Sequence, residues 1–569
     1  MIANFQTLDI EDIRSSRVSF PGTEGRLIVG YLDEGDEQEW NGRFVLLTPK
    51  YGETKKNNIR LAYFLVSNGF KVLRFDHTNH IGESDGEMGQ FTLPGAADDV
   101  LEALQYAENH FEPDEIILIS NSLSARCAYR AAAQDSRIAR VVCIVGVVNL
   151  QQTIKNIYQK DIIGAFCEGK EWGTIDILGF DIDSANFISK LVEFKMNNLE
   201  GTLEDAAKID RPLLHFHAAK DIWVDRAEVE QVIQLAKAGQ LAEIAGAYHE
   251  IGENPDATKR TMDHVARFCL EGTKHSIRKF RYPSKAKVFA QNRLERNRLK
   301  QIYAVKESEN DFWNGYLGKF GTIEQASVYI DYFEKIGALI GTIQEGDVII
   351  DAGCGNGFFG LCLLHSMESA LGSRIEFARR FVYYGLDLTP GGLGQAYLRQ
   401  SAIKSKLISD TYEKTSGVTF AYQRFDFDHI HVDDEGGDHQ RLPFADNSID
   451  KICSSLVVSY LKDPIAFVSE LRRVLKPGGV AVLSSMKPDC DMTVLFHEFI
   501  SMDTKETETA DDAQKLLGAA GKIKLKEQSG IYGFFSEEEL VAIITSAGFT
   551  DFDSFRSLGN QANVIRVIK

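Results

Sequence analysis

The stretch VIIDAGCGNGFFG, residues 348–360, carries three glycines at alternate positions directly after an apolar run. The apolar run predicts a buried strand, and the glycines predict a tight turn that lets the backbone approach a ligand at the start of a helix. A dinucleotide-binding loop has the spacing G-x-G-x-x-G, which would require glycine where the chain has Phe358. The stretch therefore predicts an α/β domain whose glycine loop binds a different ligand.

The pattern D-x-G-x-G-x-G, formed by Asp351, Gly353, Gly355 and Gly357, resembles the S-adenosylmethionine loop of class I methyltransferases. Further apolar runs predict the other strands of a Rossmann-like sheet, at residues 381–388, 418–426, 449–455 and 479–485. The resemblance extends over residues 310–569 and implies S-adenosylmethionine as the cofactor of this domain.

The residues that follow the next strands are assigned by the same resemblance. It implies that Asp387, with Leu388 beside it, binds the ribose hydroxyls of the cofactor. It also implies that Asp426 contacts the adenine and that Phe427 stacks on it, although a plain surface loop explains the DFD sequence too. Ser454 is expected to flank the methionine end.

The base that would act on a methyl acceptor is not identified by the sequence. A carboxylate acceptor needs no base, whereas a hydroxyl or carbon acceptor needs one. The candidates are Tyr460, Asp489 and His497, and each of these residue types is more often ordinary than catalytic. The aromatic run at 311–320 is expected either to cover the cofactor or to pack in the core.

A second α/β pattern precedes this domain, over residues 1–270. Short apolar runs alternate there with amphipathic stretches, which predicts a parallel sheet with helices between the strands. The run EIILIS ends at Ser120, and Ser122 follows just before a helical pattern, as in the strand–serine–helix turn of α/β-hydrolases. The usual flanking glycines are replaced by Ser120 and Ser124, so the motif alone is weak.

The residues that would support such a serine also occur in the expected order. Asp221 follows an apolar strand and His249 lies on a loop after the next helical pattern, which is the serine–acid–histidine order of α/β-hydrolases. The backbone N–H groups of Tyr51 and Leu123 are the expected donors of an oxyanion hole. Each residue alone is also compatible with an ordinary loop.

Several segments of this half resemble the bacterial bioluminescence acyl-transferase, a thioesterase that releases fatty acid from acyl carrier protein. They are NGFKVLRFDHTNHIGESDGE, SNSLSARCAYR, VGVVNLQQTI, AAKDIWVDRAEV and AGAYHEIGEN. The resemblance implies an α/β-hydrolase fold in which Ser122 is the nucleophile, Asp221 the orienting acid and His249 the base. It also implies that residues 150–205 form a lid over an acyl channel, although their apolar side chains are equally compatible with simple packing.

A basic segment separates the two patterns. Residues 271–300 hold ten lysines and arginines but only two glutamates. We predict a linker over residues 271–309, partly helical from about residue 288, followed by the methyltransferase domain at 310–569. The segment is either a solvated linker or a docking surface for an acidic partner, such as an acyl carrier protein.

Bulk composition narrows the class of protein. The net charge of −19 argues against nucleic acid as the main partner, and no apolar run is long enough to span a membrane. The first residues do not form a signal peptide pattern. The eight cysteines form no CxxC pair, which predicts no zinc or other metal site, no disulfide framework and a cytoplasmic location.

Together these patterns predict a bifunctional biosynthetic enzyme. Its first domain would act on an acyl or polyketide thioester, free or carrier-bound, and its second would methylate the same metabolite, possibly to a methyl ester. An alternative is a methyltransferase whose hydrolase domain only binds or docks the substrate. A noncatalytic scaffold is a third possibility, but the complete glycine loop argues against it.

Overall fold

The computed structural model of the chain describes residues 13–170, 173–271, 279–303, 309–317, 324, 326–373, 380–415, 417–430, 441–488, 490, 518 and 521–569. Contacts within the chain divide it into two units. The first comprises residues 1–304 with 528–530, and the second comprises residues 305–527 with 531–569.

In the part of the chain that the structure describes, the first unit contains ten strands, and eight of them form one sheet. They are β1 (Arg14–Pro21), β2 (Leu27–Glu34), β3 (Arg43–Leu47), β4 (Lys71–Phe75), β5 (Glu115–Asn121), β6 (Ile138–Ile144), β7 (Thr174–Ile177), β8 (Phe180–Asp183), β9 (Pro212–Ala218) and β10 (Ala238–Ile244). The order in the main sheet is β1-β2-β4-β3-β5-β6-β9-β10, and β7 and β8 form a separate hairpin. Strand β2 is antiparallel to β1 and β4, and the remaining neighbours are parallel.

Helices connect these strands and cover both faces of the sheet. They are α1 (Ile59–Val66), α2 (Leu93–Phe111), α3 (Ser124–Gln134), α4 (Leu150–Tyr158), α5 (Ile162–Cys167), α6 (Ser184–Glu193), α7 (Leu199–Ala206), α8 (Arg226–Leu235), α9 (Pro255–Leu270) and α10 (Lys285–Ile302). Alternate residues of the central strands, such as Val45 and Leu47 of β3, pack with buried side chains of α1 and α9. This alternation is what a pleated strand between two helical layers requires.

Helix α10 lies inside the segment predicted to be a linker, yet it packs on the first unit. The carboxylate of Glu295 is buried and accepts hydrogen bonds from the Arg74 guanidinium at 2.7 and 2.8 Å. Arg74 also pairs with Asp33 at 2.6 Å, and both of those side chains are 0% exposed. The first unit therefore extends past residue 270, because a helix that shares a buried ion cluster with the sheet is part of its structure.

The second unit contains a seven-stranded sheet. Its strands are β11 (Val348–Ala352), β12 (Arg380–Asp387), β13 (Gly417–Arg424), β14 (Ile449–Ser454), β15 (Leu475–Met486), β16 (Asp551–Ser557) and β17 (Ala562–Ile568), in the order β13-β12-β11-β14-β15-β17-β16. The first five strands of this order are parallel, whereas β17 is antiparallel to both of its neighbours. The chain changes direction across the sheet between β11 and β14, which is where ligands bind in open α/β sheets.

Helices again cover both faces of this sheet. They are α11 (Glu309–Leu317), α12 (Ser327–Ile340), α13 (Phe358–Ser373), α14 (Pro390–Thr415), α15 (Pro464–Val474) and α16 (Glu537–Ser546). Ile349 of β11 packs with buried side chains of α12, and Ile350 packs with buried side chains of α15. Neighbouring residues of this strand therefore belong to two different hydrophobic cores. The predicted fold class, an α/β sheet in each half, is confirmed. Within the described ranges, no helix combines the length and apolar composition needed to cross a bilayer.

We predict that Arg74→Met destabilises the first unit by about 3–5 kcal/mol, because it leaves two buried carboxylates without their counter-charge. The measurement is the midpoint of urea unfolding followed by tryptophan fluorescence. The matched control is Arg137→Met, which removes a partly exposed ion pair with Asp135 and should cost less than about 1 kcal/mol. Equal midpoints for the two variants would contradict the assignment of α10 to this unit.

Candidate active sites

Ser122 lies on the turn between β5 and α3 in a strained backbone conformation. Its φ is 51°, in the left-handed region that residues other than glycine rarely adopt. The turn is held by the Ser122 N–H, which donates to the Ile144 carbonyl at 3.0 Å, and by the Val147 N–H, which donates to the Ser122 carbonyl at 3.0 Å. Such strain persists only where the surroundings enforce it, and it is common at active sites.

The side chains of Ser122, His249 and Asp221 form a continuous hydrogen-bonded chain. The Ser122 hydroxyl lies 2.7 Å from His249 Nε2, and His249 Nδ1 lies 2.9 Å from Asp221 Oδ2. The three residues follow β5, β10 and β9, so the parallel strands deliver them to one edge of the sheet. The structure thus brings together the three residues predicted from separate parts of the sequence.

Asp221, the last member of this hydrogen-bonded series, is held as an anion. Burial raises the pKa of Asp221, but the His249 ring and the backbone N–H groups of Trp223 and Val224 outweigh it, so the pKa lies below its usual value. Those N–H groups donate to Asp221 Oδ1 at 2.9 and 3.2 Å. A fixed carboxylate behind Nδ1 orients the imidazole and stabilises its protonated form.

The Trp223 ring stacks on the His249 ring, with centroids 4.5 Å apart and planes at 25°. The sequence analysis did not assign a role to Trp223. Its only signal was its position two residues after Asp221, in the turn that supplies the N–H donors. The indole limits the motion of the imidazole and shields it from water.

The serines that replace the usual glycines have partners of their own. Ser124 Oγ donates to the Pro49 carbonyl at 2.6 Å, and Thr48 Oγ1 donates to Ser120 Oγ at 2.9 Å. Both bonds connect the turn that carries Ser122 to the loop that follows β3. The small hydroxyls therefore satisfy the steric demand of the turn and also fix its neighbouring loop.

That loop carries Tyr51, whose N–H was predicted to help form an oxyanion hole with the N–H of Leu123. Among the described residues, neither of these two N–H groups donates to a protein acceptor. The Tyr51 hydroxyl is used elsewhere, since it donates to the Ile177 carbonyl of β7 at 3.2 Å. The next residue, Gly52, has a φ of 76°, and a Cβ there would lie 2.6 Å from the ring of Phe180.

Helices α4–α7 and the β7–β8 hairpin occupy the segment predicted to be a lid. The hairpin packs on the loop through Phe180, whose ring lies 5.6 Å from the ring of Tyr51. Its turn is held by the Leu178 N–H, which donates to the Tyr158 hydroxyl at 2.7 Å. The buried apolar side chains of this segment include Ile162, Ile177, Phe180 and Phe187.

The second unit has a cavity of about 450 Å³ at the carboxyl ends of its parallel strands. Seven of the nine predicted cofactor residues line it: Asp351, Gly353, Gly355, Asp387, Leu388, Asp426 and Phe427. Gly357 does not, because it faces α14, where a Cβ would meet Gln400 at 2.4 Å. Ser454 is buried beneath the cavity, and Ser455 lines it instead.

The glycine loop and Asp387 are hydrogen-bonded to each other. Gly353 has a φ of 84°, and a Cβ there would lie 2.1 Å from a methyl group of Val457. The Gly355 N–H donates to Asp387 Oδ2 at 2.8 Å, while Thr389 donates to Oδ1 through its N–H at 2.8 Å and its hydroxyl at 2.6 Å. Burial raises the pKa of Asp387 despite these bonds.

Asp351 lies beneath the loop in a fully buried position. Its carboxylate accepts a hydrogen bond from the Tyr383 hydroxyl at 2.6 Å. Burial nevertheless raises the pKa of Asp351 to about 7, and the nearby Asp387 acts in the same direction. Both effects favour the neutral form of the Asp351 carboxyl group.

Asp426 and Phe427, the predicted adenine contacts, are each held by neighbouring groups of the protein. The Asp426 carboxylate accepts a hydrogen bond from the Asp428 N–H at 3.0 Å, which fixes the turn after β13. The Phe427 ring lines the cavity and also packs 5.0 Å from the ring of Phe467 in the core. Asp428 and Lys462 line the same region and were not predicted.

Residues of α11 and of the segment after β14 also line the cavity. Trp313 and Tyr316 of the predicted aromatic run line it, whereas Phe312 is buried in the core. The Tyr460 ring lies 4.6 Å from Trp313, and burial raises the pKa of its phenol well above the usual value. Tyr460 is therefore a poor base near neutral pH.

Of the other base candidates, Asp489 and His497 lie outside the described residues. A group that the sequence analysis missed is Glu309, which lines the cavity and accepts hydrogen bonds from Lys526 at 2.7 Å and from the Tyr532 hydroxyl at 2.5 Å. No signal in the sequence marked it, because its partners are more than 200 residues away.

Both halves of the chain match known protein families. Residues 40–288 match the family model described as acyl transferase, and residues 350–483 match the one described as methyltransferase domain. The esterase domain of a Rhodothermus marinus protein aligns over 98% of its length with 45% of this chain, at 19% identity and a TM-score of 0.34.

Two acyl transferases are each 30% identical to this chain. The match to the protein of Photobacterium phosphoreum covers 196 residues, 34% of this chain and 63% of that protein, so it spans less than two thirds of that relative. The match to a protein of Photobacterium leiognathi covers 227 residues, 36% of this chain and 70% of that protein. The chain belongs to the acyl transferase family, and a methyltransferase domain follows the family's domain in the same polypeptide.

Proposed function

We propose that the protein is a bifunctional biosynthetic enzyme that cleaves or transfers an acyl thioester and methylates the same metabolite. The observation that carries the first activity is the bond of 2.7 Å between the Ser122 hydroxyl and His249, backed by the buried Asp221. The second activity rests on the cavity that the glycine loop and Asp387 both line. We place the protein in a reducing cytoplasm, because the spacing of its eight cysteines is not that of a disulfide framework.

In the first reaction, Ser122 attacks the thioester carbonyl while His249 Nε2 takes its hydroxyl proton. Asp221 stabilises the resulting imidazolium through Nδ1–H. The N–H groups of Tyr51 and Leu123 donate to the tetrahedral oxyanion. His249 then returns the proton to the leaving thiol, and an acyl ester of Ser122 remains. Water or another nucleophile, deprotonated by His249, releases the acyl group.

The substrate of this reaction is an acyl or polyketide thioester, either small or attached to a carrier protein. The apolar lid next to the Tyr51 loop supports an acyl chain as the group that is bound. The exposed basic residues of α10, among them Arg293 and Lys300, support docking of an acidic acyl carrier protein. The names of the two Photobacterium relatives, acyl transferase, agree with this substrate class.

The residues of the second cavity fit S-adenosylmethionine. Gly353 and Gly355 line the cavity, and Asp387 offers a buried carboxylate at the end of the next strand, where the ribose hydroxyls would donate to it. Phe427 supplies an apolar ring face for the adenine. When bound, S-adenosylmethionine supplies an activated methyl group. The chain's own contribution is to align the acceptor and exclude water.

The order of the two reactions decides which kind of group accepts the methyl group. If acyl release comes first, the freed carboxylate needs no base and gives a methyl ester. If methylation comes first, a hydroxyl or carbon of the bound chain is the target and a base is required. Joining the two units raises the local concentration of a shared intermediate to about the millimolar range for a flexible connection.

We predict that a fluorophosphonate probe labels the wild-type chain at Ser122 and that Ser122→Ala abolishes the labelling. His249→Gln should slow labelling by at least about 10²-fold, because it removes the general base. The measurement is intact-protein mass spectrometry over time, with Ser189→Ala as the control for an exposed serine on α6. A wild-type chain that stays unlabelled would favour a first unit that only binds the substrate.

We predict that the wild-type chain binds S-adenosylhomocysteine and that Asp387→Ala weakens this binding at least about tenfold. Hydrogen bonds to a charged group contribute about 1.5–3 kcal/mol each, and the substitution also releases the Gly355 N–H. Isothermal titration calorimetry gives the affinities. Asp553→Ala, which changes an exposed carboxylate of β16, is the control and should bind normally.

We predict that the full chain, given acyl thioesters and methyl-labelled S-adenosylmethionine, forms a methylated product. Liquid chromatography with mass spectrometry identifies the product and the position of the label. Ser122→Ala should still methylate a carrier-bound substrate if methylation comes first, and it should form no methyl ester if release comes first. A chain that binds the cofactor but produces neither free acid nor labelled product with thioesters of many lengths would contradict the proposal.

A further inference from the structure

The hydroxyl of Tyr303, directly after α10, holds the backbone of a loop in the first unit. It accepts a hydrogen bond from the Gly82 N–H at 2.7 Å and donates one to the Gly82 carbonyl at 3.1 Å. Gly82 has a φ of 135°, and a Cβ there would lie 2.2 Å from the Asp76 carboxyl carbon. One phenol therefore satisfies both polar groups of a residue that must be glycine.

The loop that contains Gly82 is tied to the loop after β3 by a buried carboxylate. Asp76 accepts hydrogen bonds from the Lys55 N–H at 2.7 Å and from the Glu83 N–H at 2.8 Å, and it pairs with the Lys55 ammonium group. The Asp76 side chain is 0% exposed. Because both loops depend on the same buried anion, displacement of one displaces the other.

His80 carries this connection to the predicted oxyanion donor. Its Nε2 accepts a hydrogen bond from the Gly52 N–H at 3.1 Å. Burial, and to a lesser extent the neighbouring His77, lowers the pKa of His80 to about 3, so the ring stays neutral and can accept. The Gly52 N–H belongs to the peptide next to Tyr51. This bond therefore helps to hold Tyr51, whose own N–H is the predicted oxyanion donor.

Helix α10 reaches the same loops at a second point. Glu295 accepts two hydrogen bonds from Arg74, and Arg74 Nη1 also donates to the Lys55 carbonyl at 3.2 Å. The helix thus contacts the Tyr51 loop through Arg74 and the Gly82 loop through Tyr303. Glu295 and Tyr303 both lie beyond residues 40–288, the stretch that matches the acyl transferase family.

We propose that Tyr303 and Glu295 are positioning residues for the acyl site of the first unit. They fix the loops that carry His80 and Gly52, and through them the Tyr51 N–H that faces the developing oxyanion. The inference rests on the proposed function of Ser122. It adds that the acyl site is completed by residues outside the family's matched stretch, in the segment that leads to the methyltransferase domain.

The test uses the full chain and two probes, 4-nitrophenyl octanoate as substrate and an octyl trifluoromethyl ketone as inhibitor. The ketone forms a tetrahedral adduct with the serine, so its affinity reports on oxyanion stabilisation. For Tyr303→Phe we expect kcat to fall about tenfold, KM to stay within twofold, and the inhibition constant of the ketone to rise by the same factor as kcat falls. Glu295→Gln should act in the same direction.

The matched control is Tyr282→Phe, which removes a hydroxyl of the same segment that bonds to Asp263. It should change none of the three constants. Thermal unfolding shows whether Tyr303→Phe keeps the fold, and its transition should stay close to that of the wild type. An unchanged ketone affinity, or an equal effect of Tyr282→Phe, overturns the inference while Ser122 chemistry stands. A wild-type chain that neither cleaves the ester nor reacts with a fluorophosphonate overturns both.

Discussion

Parallel strands end at one edge of their sheet, and this constraint places both sites of the molecule. In the first unit it brings Ser122, Asp221 and His249 together, although 127 residues separate the serine from the histidine. In the second unit it sets the glycine loop after β11 beside Asp387 after β12. The candidate site residues therefore lie on short loops whose ends are fixed by buried, hydrogen-bonded strands.

Buried polar groups hold the loops at these edges. Asp76 and Asp221 each accept two backbone N–H groups in the first unit, and Asp387 accepts two in the second. A buried carboxylate is costly unless it is fully bonded, so each of these acids fixes its loop in one arrangement. The loops around both sites are preorganised in this way.

The sequence was sufficient for the fold class, because uninterrupted apolar runs and glycine turns mark parallel strands without knowledge of contacts. It assigned Ser454 where Ser455 lines the cavity, because adjacent residues of a strand end point to opposite sides. The attachment of α10 to the first unit could not be predicted. A basic stretch suggests a solvated segment, and nothing local shows that Glu295 is buried against an arginine 221 residues away. Trp223 was missed because its contact with the His249 ring also joins residues that are distant in the sequence.

The attachment of α10 also determines where the polypeptide can be divided for separate study. A fragment ending at residue 288, the limit of the family match, would lack the side chain of Leu299 and expose to water the surface that this residue covers. It would also lose the hydroxyl that holds Gly82. Poor solubility of such a fragment would reflect the site of truncation. A fragment that contains the acyl unit should therefore extend past Tyr303.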